Sequence, residues 1–145
     1  MEKLKFNISI NASREKVWKI LWEDETYRKW ASVFSEGSCA KSDWKEGSKI
    51  LFLGSNNDGM ISKIAELREN EFMSFEHLGQ LKNGVEDFES EEIKKWSGIF
   101  ENYTLKPIGN KTELIIEMDM NDEYKDFFLK TWPSALNKIK ELSEQ

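Results

Sequence analysis

Reactive side chains are scarce in this sequence. Its 145 residues include one cysteine, Cys39, and one histidine, His77. A lone thiol cannot close an internal disulfide, and one thiol with one imidazole cannot build a Cys/His zinc cage. No metal site and no cofactor are therefore expected, although carboxylates alone can hold magnesium or calcium. The same count argues against a thiol nucleophile, and neither a GxSxG serine elbow nor a glycine-rich phosphate loop is present. No apolar run approaches the ~18 residues of a membrane span, and the opening MEKLKFNISINAS lacks the continuous apolar core of a signal peptide. A cytoplasmic protein is expected. Basic patches interleaved with aromatics are missing too, and 21 Lys and Arg against 27 Asp and Glu leave a net charge of -6. Such an acidic surface disfavours nucleic acid and anionic membranes.

What the sequence has in quantity is aromatic side chains, six Trp and nine Phe among them. With 39% hydrophobic and 33% charged residues, the composition is that of a globular chain able to enclose a core without staples. One domain is the expectation for this length.

Residues 4–10, LKFNISI, alternate apolar and polar, the period of a half-buried strand with Leu4, Phe6, Ile8 and Ile10 inward. Asn11-Ala12-Ser13 stops it. Ser13 is a suitable N-cap for REKVWKILWE, whose inner face is Val17, Ile20 and Leu21, and DETYRKWASVF supplies a second short helix or turn. From about residue 37 the period changes. SCAKSDW, SKILFLG, MISKIAEL, EFMSFEHLG, SGIFENYTLKP and TELIIEMDM read as six strands of an antiparallel meander, joined by turns rich in Gly, Asn and Asp. The charged stretch 82–95, KNGVEDFESEEIKK, reads as a mobile loop in which Phe88 and Ile93 can fold back as a lid.

The chain closes on FLKTWPSALNKIKEL, where Phe128, Trp132, Leu136, Ile139 and Leu142 recur at steps of three and four. That spacing puts an apolar stripe on one helix face. Pro133 either starts this helix or bends a longer one that begins near Asp122, and the helical pattern of DEYKDFFLKTW favours one long bent helix. A sheet of seven strands with an inner face needs a cover, and this helix is the long element left to supply it.

The order of elements resembles the helix-grip fold of the START-like superfamily, to which birch-pollen allergens and polyketide cyclases belong. It is most similar to the homologues of the activator of the heat-shock chaperone ATPase. The residues that carry the likeness are Ile8 to Ser13 with Glu15-Lys16-Val17-Trp18, then Trp30, Gly47, Trp96, Glu101-Asn102-Tyr103-Thr104, Gly109 with Thr112-Glu113-Leu114, and Trp132 ahead of Leu136 and Ile139. The resemblance implies an α+β fold over residues 1–145, a curved seven-stranded antiparallel sheet gripping the C-terminal helix, with two short helices between strands 1 and 2. It also implies a cavity between sheet and helix that often takes an apolar small molecule. The likeness covers one domain, without the extra partner-binding domain of true activators, which counts against chaperone activation.

Alternation places candidate pocket residues. If Leu114, Ile116 and Met118 face the helix, hairpin register puts Ile99, Glu101, Tyr103 and Leu105 on the same side, with Met73, Phe75 and His77 on the strand beyond. His77 and Glu101 then approach each other among apolar neighbours, where a carboxylate holds an imidazole's tautomer. This pair is either a satisfied polar contact near the end of the sheet or the working groups of a cyclase- or hydrolase-type enzyme. The expected ligand-binding set is Phe75, His77, Glu101, Tyr103, Met118, Phe128 and Trp132, and the expected partner is an apolar or amphipathic small molecule. A protein-interaction surface like that of the chaperone activators is the remaining alternative.

Overall fold

The computed structural model describes residues 2–145. The elements run β1 (Glu2–Ile10), α1 (Arg14–Trp22), α2 (Asp24–Ala31), β2 (Cys39–Lys41), β3 (Lys49–Leu53), β4 (Gly59–Arg68), β5 (Phe72–Lys82), β6 (Val85–Asp87), α3 (Glu91–Lys94), β7 (Ile99–Ile108), β8 (Lys111–Met120) and α4 (Asp122–Glu144). Seven strands follow the path β1-β8-β7-β5-β4-β3-β2, each pair antiparallel, and β6 attaches to β5 as an eighth. This is the expected helix-grip arrangement. The difference lies in 82–95, which holds a tight β5–β6 hairpin at Asn83-Gly84 and a helical turn rather than open loop. Its charges concealed three regularities: Asn83 and Gly84 supply the left-handed turn, Ser90 caps α3 by accepting from the Ile93 amide, and Ile93 is buried.

Two bulges shape the sheet. Along the β4–β5 ladder, Ile61 pairs with Gly79 and Ser62 with His77, skipping Leu78; Ile64 pairs with Phe75 and Glu66 with Ser74, skipping Ala65. An unpaired extra residue bends its strand and sharpens the twist, and two of them on one ladder help curve the sheet around a helix. The turns use residues that tolerate left-handed backbone, with Asn57 at φ 66° and Asn70 at φ 69°. Trp44 departs from that rule. It sits at φ 59°, a conformation that costs a bulky side chain roughly 1–3 kcal/mol. Its amide donates to Ser42 Oγ at 3.0 Å, and Ser42 Oγ donates to the Lys49 carbonyl at 2.9 Å, which pins the turn.

Ser13 caps α1 as its sequence requires, its hydroxyl accepting from the Lys16 amide at 3.2 Å. Leu4 and Ile10 of β1 are buried, and Phe6 and Ile8 pack half-buried against the same core. The C-terminal helix is one element that runs through Pro133. Pro133 has no N–H to give the Leu129 carbonyl; beside it the Thr131 hydroxyl donates to the Phe127 carbonyl at 2.6 Å. From Trp132 onward the stripe is enclosed, with Ala135 and Ile139 at zero exposure. The helix end is fastened to β1 and the turn after it: Lys140 Nζ donates to the Ser9 carbonyl at 3.1 Å, and the Asn11 amide donates to Glu144 Oε2 at 2.7 Å. Trp132 ties the helix into the aromatic core, in ring contact with Phe6, Trp30, Phe34 and Tyr103.

Candidate functional site

Between the curved sheet and the N-terminal half of α4 lies a groove of about 510 Å³. The sheet contributes His77, Glu101, Tyr103 and Met118, α4 contributes Phe128 and Trp132, α2 contributes Tyr27 and Trp30, and Glu92 and Trp96 come from the 82–98 segment. The lining is mostly apolar, with aromatic side chains from α2, the sheet and α4; His77, Glu101 and Tyr103 gather into one polar cluster, and Asn56, Asp58, Gln80, Asp119 and Asn121 also border the space.

Register explains that gathering. Residues 101 and 103 share a face of β7, and His77, across from Ile99 at the end of the β5–β7 ladder, shares it too. His77 Nε2 lies 3.1 Å from Glu101 Oε1, and His77 Nδ1 lies 2.6 Å from Ser62 Oγ. The Tyr103 hydroxyl donates to Glu101 Oε2. The result is an unbroken chain, Ser62 to His77 to Glu101 to Tyr103. As a carboxylate, Glu101 accepts both of its bonds, so Nε2 is a donor, and in the neutral ring Nδ1 accepts from the Ser62 hydroxyl. Ser62 is buried and does not border the groove. It positions the ring from behind and is not placed as a nucleophile.

The side chain of His77 is 8% exposed and that of Glu101 21%, so the carboxylate is the member of the pair more open to an incoming group. Burial, followed by the Glu101 charge, pushes the Tyr103 phenol well above the usual tyrosine range. Burial, then Glu101 and then Cys39, raises the Tyr27 phenol also. Both hydroxyls therefore stay protonated donors at neutral pH. Two more polar atoms of groove residues, Asn121 Oδ1 and Trp132 Nε1, are buried without a partner among the described residues.

Of the seven residues that sequence reasoning assigned to a ligand, six border the groove. Phe75 lies one layer back. It has zero exposure and is enclosed by the rings of Phe52, Trp22 and Tyr103 at 5.0, 5.3 and 5.9 Å, because Phe52 from β3 covers the side of Phe75 that alternation alone would leave open. Sequence reasoning missed Ser62 and the α2 aromatics. Ser62 sits between isoleucines in a strand pattern, and its position opposite His77 depends on the bulge at Leu78. The helical spacing of Tyr27, Trp30 and Phe34 was a usable signal. The 82–98 segment is fastened to the site: the Gly98 amide donates to the His77 carbonyl at 2.8 Å, and Ser97 Oγ donates to the Leu78 carbonyl at 2.8 Å. Gly98 accepts the φ of 93° that this closure needs. Phe88 rests against Gly79, where an added Cβ would meet its ring at 2.5 Å.

Among the described residues no three His, Cys, Asp or Glu side chains converge as metal ligands, and no helix is long and apolar enough to cross a membrane. The family model described as Activator of Hsp90 ATPase homolog 1-like protein matches residues 11–144. The chain belongs to that family. No curated protein sequence matches it. Among solved structures, the Aha1 dimer from Colwellia psychrerythraea is similar at TM-score 0.74 and 22% identity, over 99% of this chain and 97% of that one. The Mesorhizobium loti protein MLL2253 aligns at TM-score 0.72 and 15% identity, over 97% and 96% of the two chains. DynU16, from the dynemicin biosynthetic locus, aligns at TM-score 0.71 and 11% identity, over 97% of this chain and 46% of that one. At these identities the likeness is one of fold, and it gives the Activator of Hsp90 ATPase homolog 1-like chain its START-like, helix-grip architecture.

Proposed function

We propose that the protein binds an apolar or amphipathic small molecule in the groove under α4, with the polar end of the ligand turned toward Glu101, Tyr103 and His77. The observation that carries this reading is the juxtaposition of a mostly apolar lining with the hydrogen-bonded cluster His77, Glu101 and Tyr103 in a space of about 510 Å³. That volume is within the range of small-molecule sites, which need a few placed polar groups and a mostly apolar lining. Glu101 is held by two donors of the protein and has further lone pairs for a hydroxyl or amine of the ligand. The partnerless Trp132 Nε1 and Asn121 Oδ1 fit a site whose polar accounting is completed by something other than the chain itself. Native mass spectrometry of the protein purified from its own source tests the reading. A stoichiometric apolar passenger, released and identified on denaturation, is the expected result; a bare protein that takes up no amphipathic probe overturns it.

A second reading, proton transfer by the His77–Glu101 pair as in a cyclase- or hydrolase-type enzyme, is favoured by the Ser62–His77–Glu101 chain, since a base positioned by a third group is the pattern such catalysis uses. The binding reading needs fewer elements, because the Ser62 hydroxyl beside His77 lies behind the ring and does not border the groove, and the Tyr103 hydroxyl is already engaged by Glu101. Turnover of the identified passenger that is lost in Glu101→Gln while affinity persists would decide for the enzyme. An interaction module of the chaperone-activator kind calls for a filled interior, and the groove weighs against it.

A further inference from the structure

A second concavity lies on the other side of Trp22, between α1, the turn at Trp44 and the β4–β5 hairpin. It measures about 610 Å³ and is walled by Trp18, Trp22 and Trp44. Trp18 and Trp22, four apart on α1, meet at 6.1 Å and 77°, and Trp22 meets Trp44 at 5.8 Å and 43°. Trp18 and Trp44 are only partly covered. Three carboxylates, Glu15, Glu23 and Glu69, border the same space against one ammonium, Lys19. Lys19 is engaged by Glu23 at 3.8 Å, which leaves Glu15 and Glu69 without an ion-pair partner among the described residues. Trp44 reaches its place through left-handed backbone, where asparagine or glycine would sit with less strain. The turn there needs no large ring for its hydrogen bonds, which run through Ser42 and the main chain. The ring packs on Trp22 at the edge of the core and turns its uncovered part to the cleft.

From this geometry we propose that the cleft is a binding site for a small organic cation of the quaternary ammonium class. Indole faces carry negative quadrupole and hold a cation most strongly when several surround it. Unpaired carboxylates at the rim add attraction without contact. A primary ammonium gives up hydration that indoles cannot replace with acceptors, whereas a quaternary one carries no N–H to satisfy and sheds water cheaply. The site is separate from the groove under α4 and does not depend on its ligand.

The test is titration of the whole protein with choline against 3,3-dimethylbutan-1-ol, its uncharged carbon isostere, at constant ionic strength. The six indole N–H resonances in a two-dimensional nitrogen–proton spectrum tell the two sites apart. Expected are shifts at Trp18, Trp22 and Trp44, with choline binding about ten-fold or more tightly than the alcohol. Trp44→Asn suits the left-handed turn and keeps the fold, so it isolates the ring; it lowers choline affinity about ten-fold, and Glu69→Gln lowers it about two-fold. Equal affinity for the alcohol, shifts confined to Trp30, Trp96 and Trp132, or an undiminished response in a folded Trp44→Asn variant each overturn the proposal.

Discussion

The space beneath α4 has two ends built from the same helix and sheet, and they are finished differently. At the end holding Ala135, Leu136, Ile139 and Leu142 the stripe is enclosed, and Lys140 and Glu144 fasten the helix to β1 and the turn after it. At the other end Tyr124, Phe127 and Leu129 are 40%, 47% and 43% exposed, Asn121 caps the helix without a side-chain bond, and the interior holds a groove instead of packed chains. One amphipathic helix therefore does two jobs. Its second half anchors the fold, and its first half is left short of partners at the place where the polar cluster sits. On the proposed binding role, stability and binding are separable along one element, with Trp132 at the junction.

The variants that test this separation fall in order of effect. Trp132→Ala removes the ring shared by both ends and is expected to cost about 3–5 kcal/mol in chemical denaturation while enlarging the groove. Ile139→Ala, at the closed end, is expected to cost about 2–4 kcal/mol and to leave the affinity of any groove ligand unchanged; altered affinity would mean that the two ends are coupled. Tyr103→Phe removes one donor to Glu101, costs about 1 kcal/mol, and weakens the ligand bound there. If affinity for an identified ligand survives that change, Tyr103 has no orienting role. The smallest effect at neutral pH comes from titration. Tyr103 and Tyr27 are raised above the usual value of 10.0 in the folded chain, so their neutral forms stabilise it fully below pH 10, and that contribution is lost as pH rises from there toward the folded values. The urea midpoint of the parent is expected to fall more steeply above pH 10 than that of Tyr103→Phe.

The anchoring end was largely legible in the sequence because it rests on periodicity. The three- and four-residue steps from Trp132 to Leu142, the alternation of β1 and the Ser13 cap each fix a local structure that the packing then uses. The open end was legible in part. His77, Glu101 and Tyr103 followed from simple alternation on β5 and β7, but the depth of Phe75 and the presence of Ser62 depend on β3, β4 and the skipped Leu78. A bulge has no sequence period, so residues whose placement passes through one cannot be read by counting twos. The 82–95 stretch hid its hairpin and Ile93 behind charge for a related reason, since three-residue strands and a single helical turn are too short to show a period. Trp18 and Trp44 form a wall with Trp22 only because a turn and a helix distant in sequence converge.

The bond from the Gly98 amide to the His77 carbonyl gives the molecule a built-in gauge. The peptide that fastens the 82–98 segment belongs to the same residue whose ring spans Ser62 and Glu101, and the chain has no other histidine. A lifting of that segment would break a main-chain bond to the one residue whose imidazole borders the groove. The single imidazole is thus a native reporter for the attachment of residues 82–98, read without labels, tags or engineered probes.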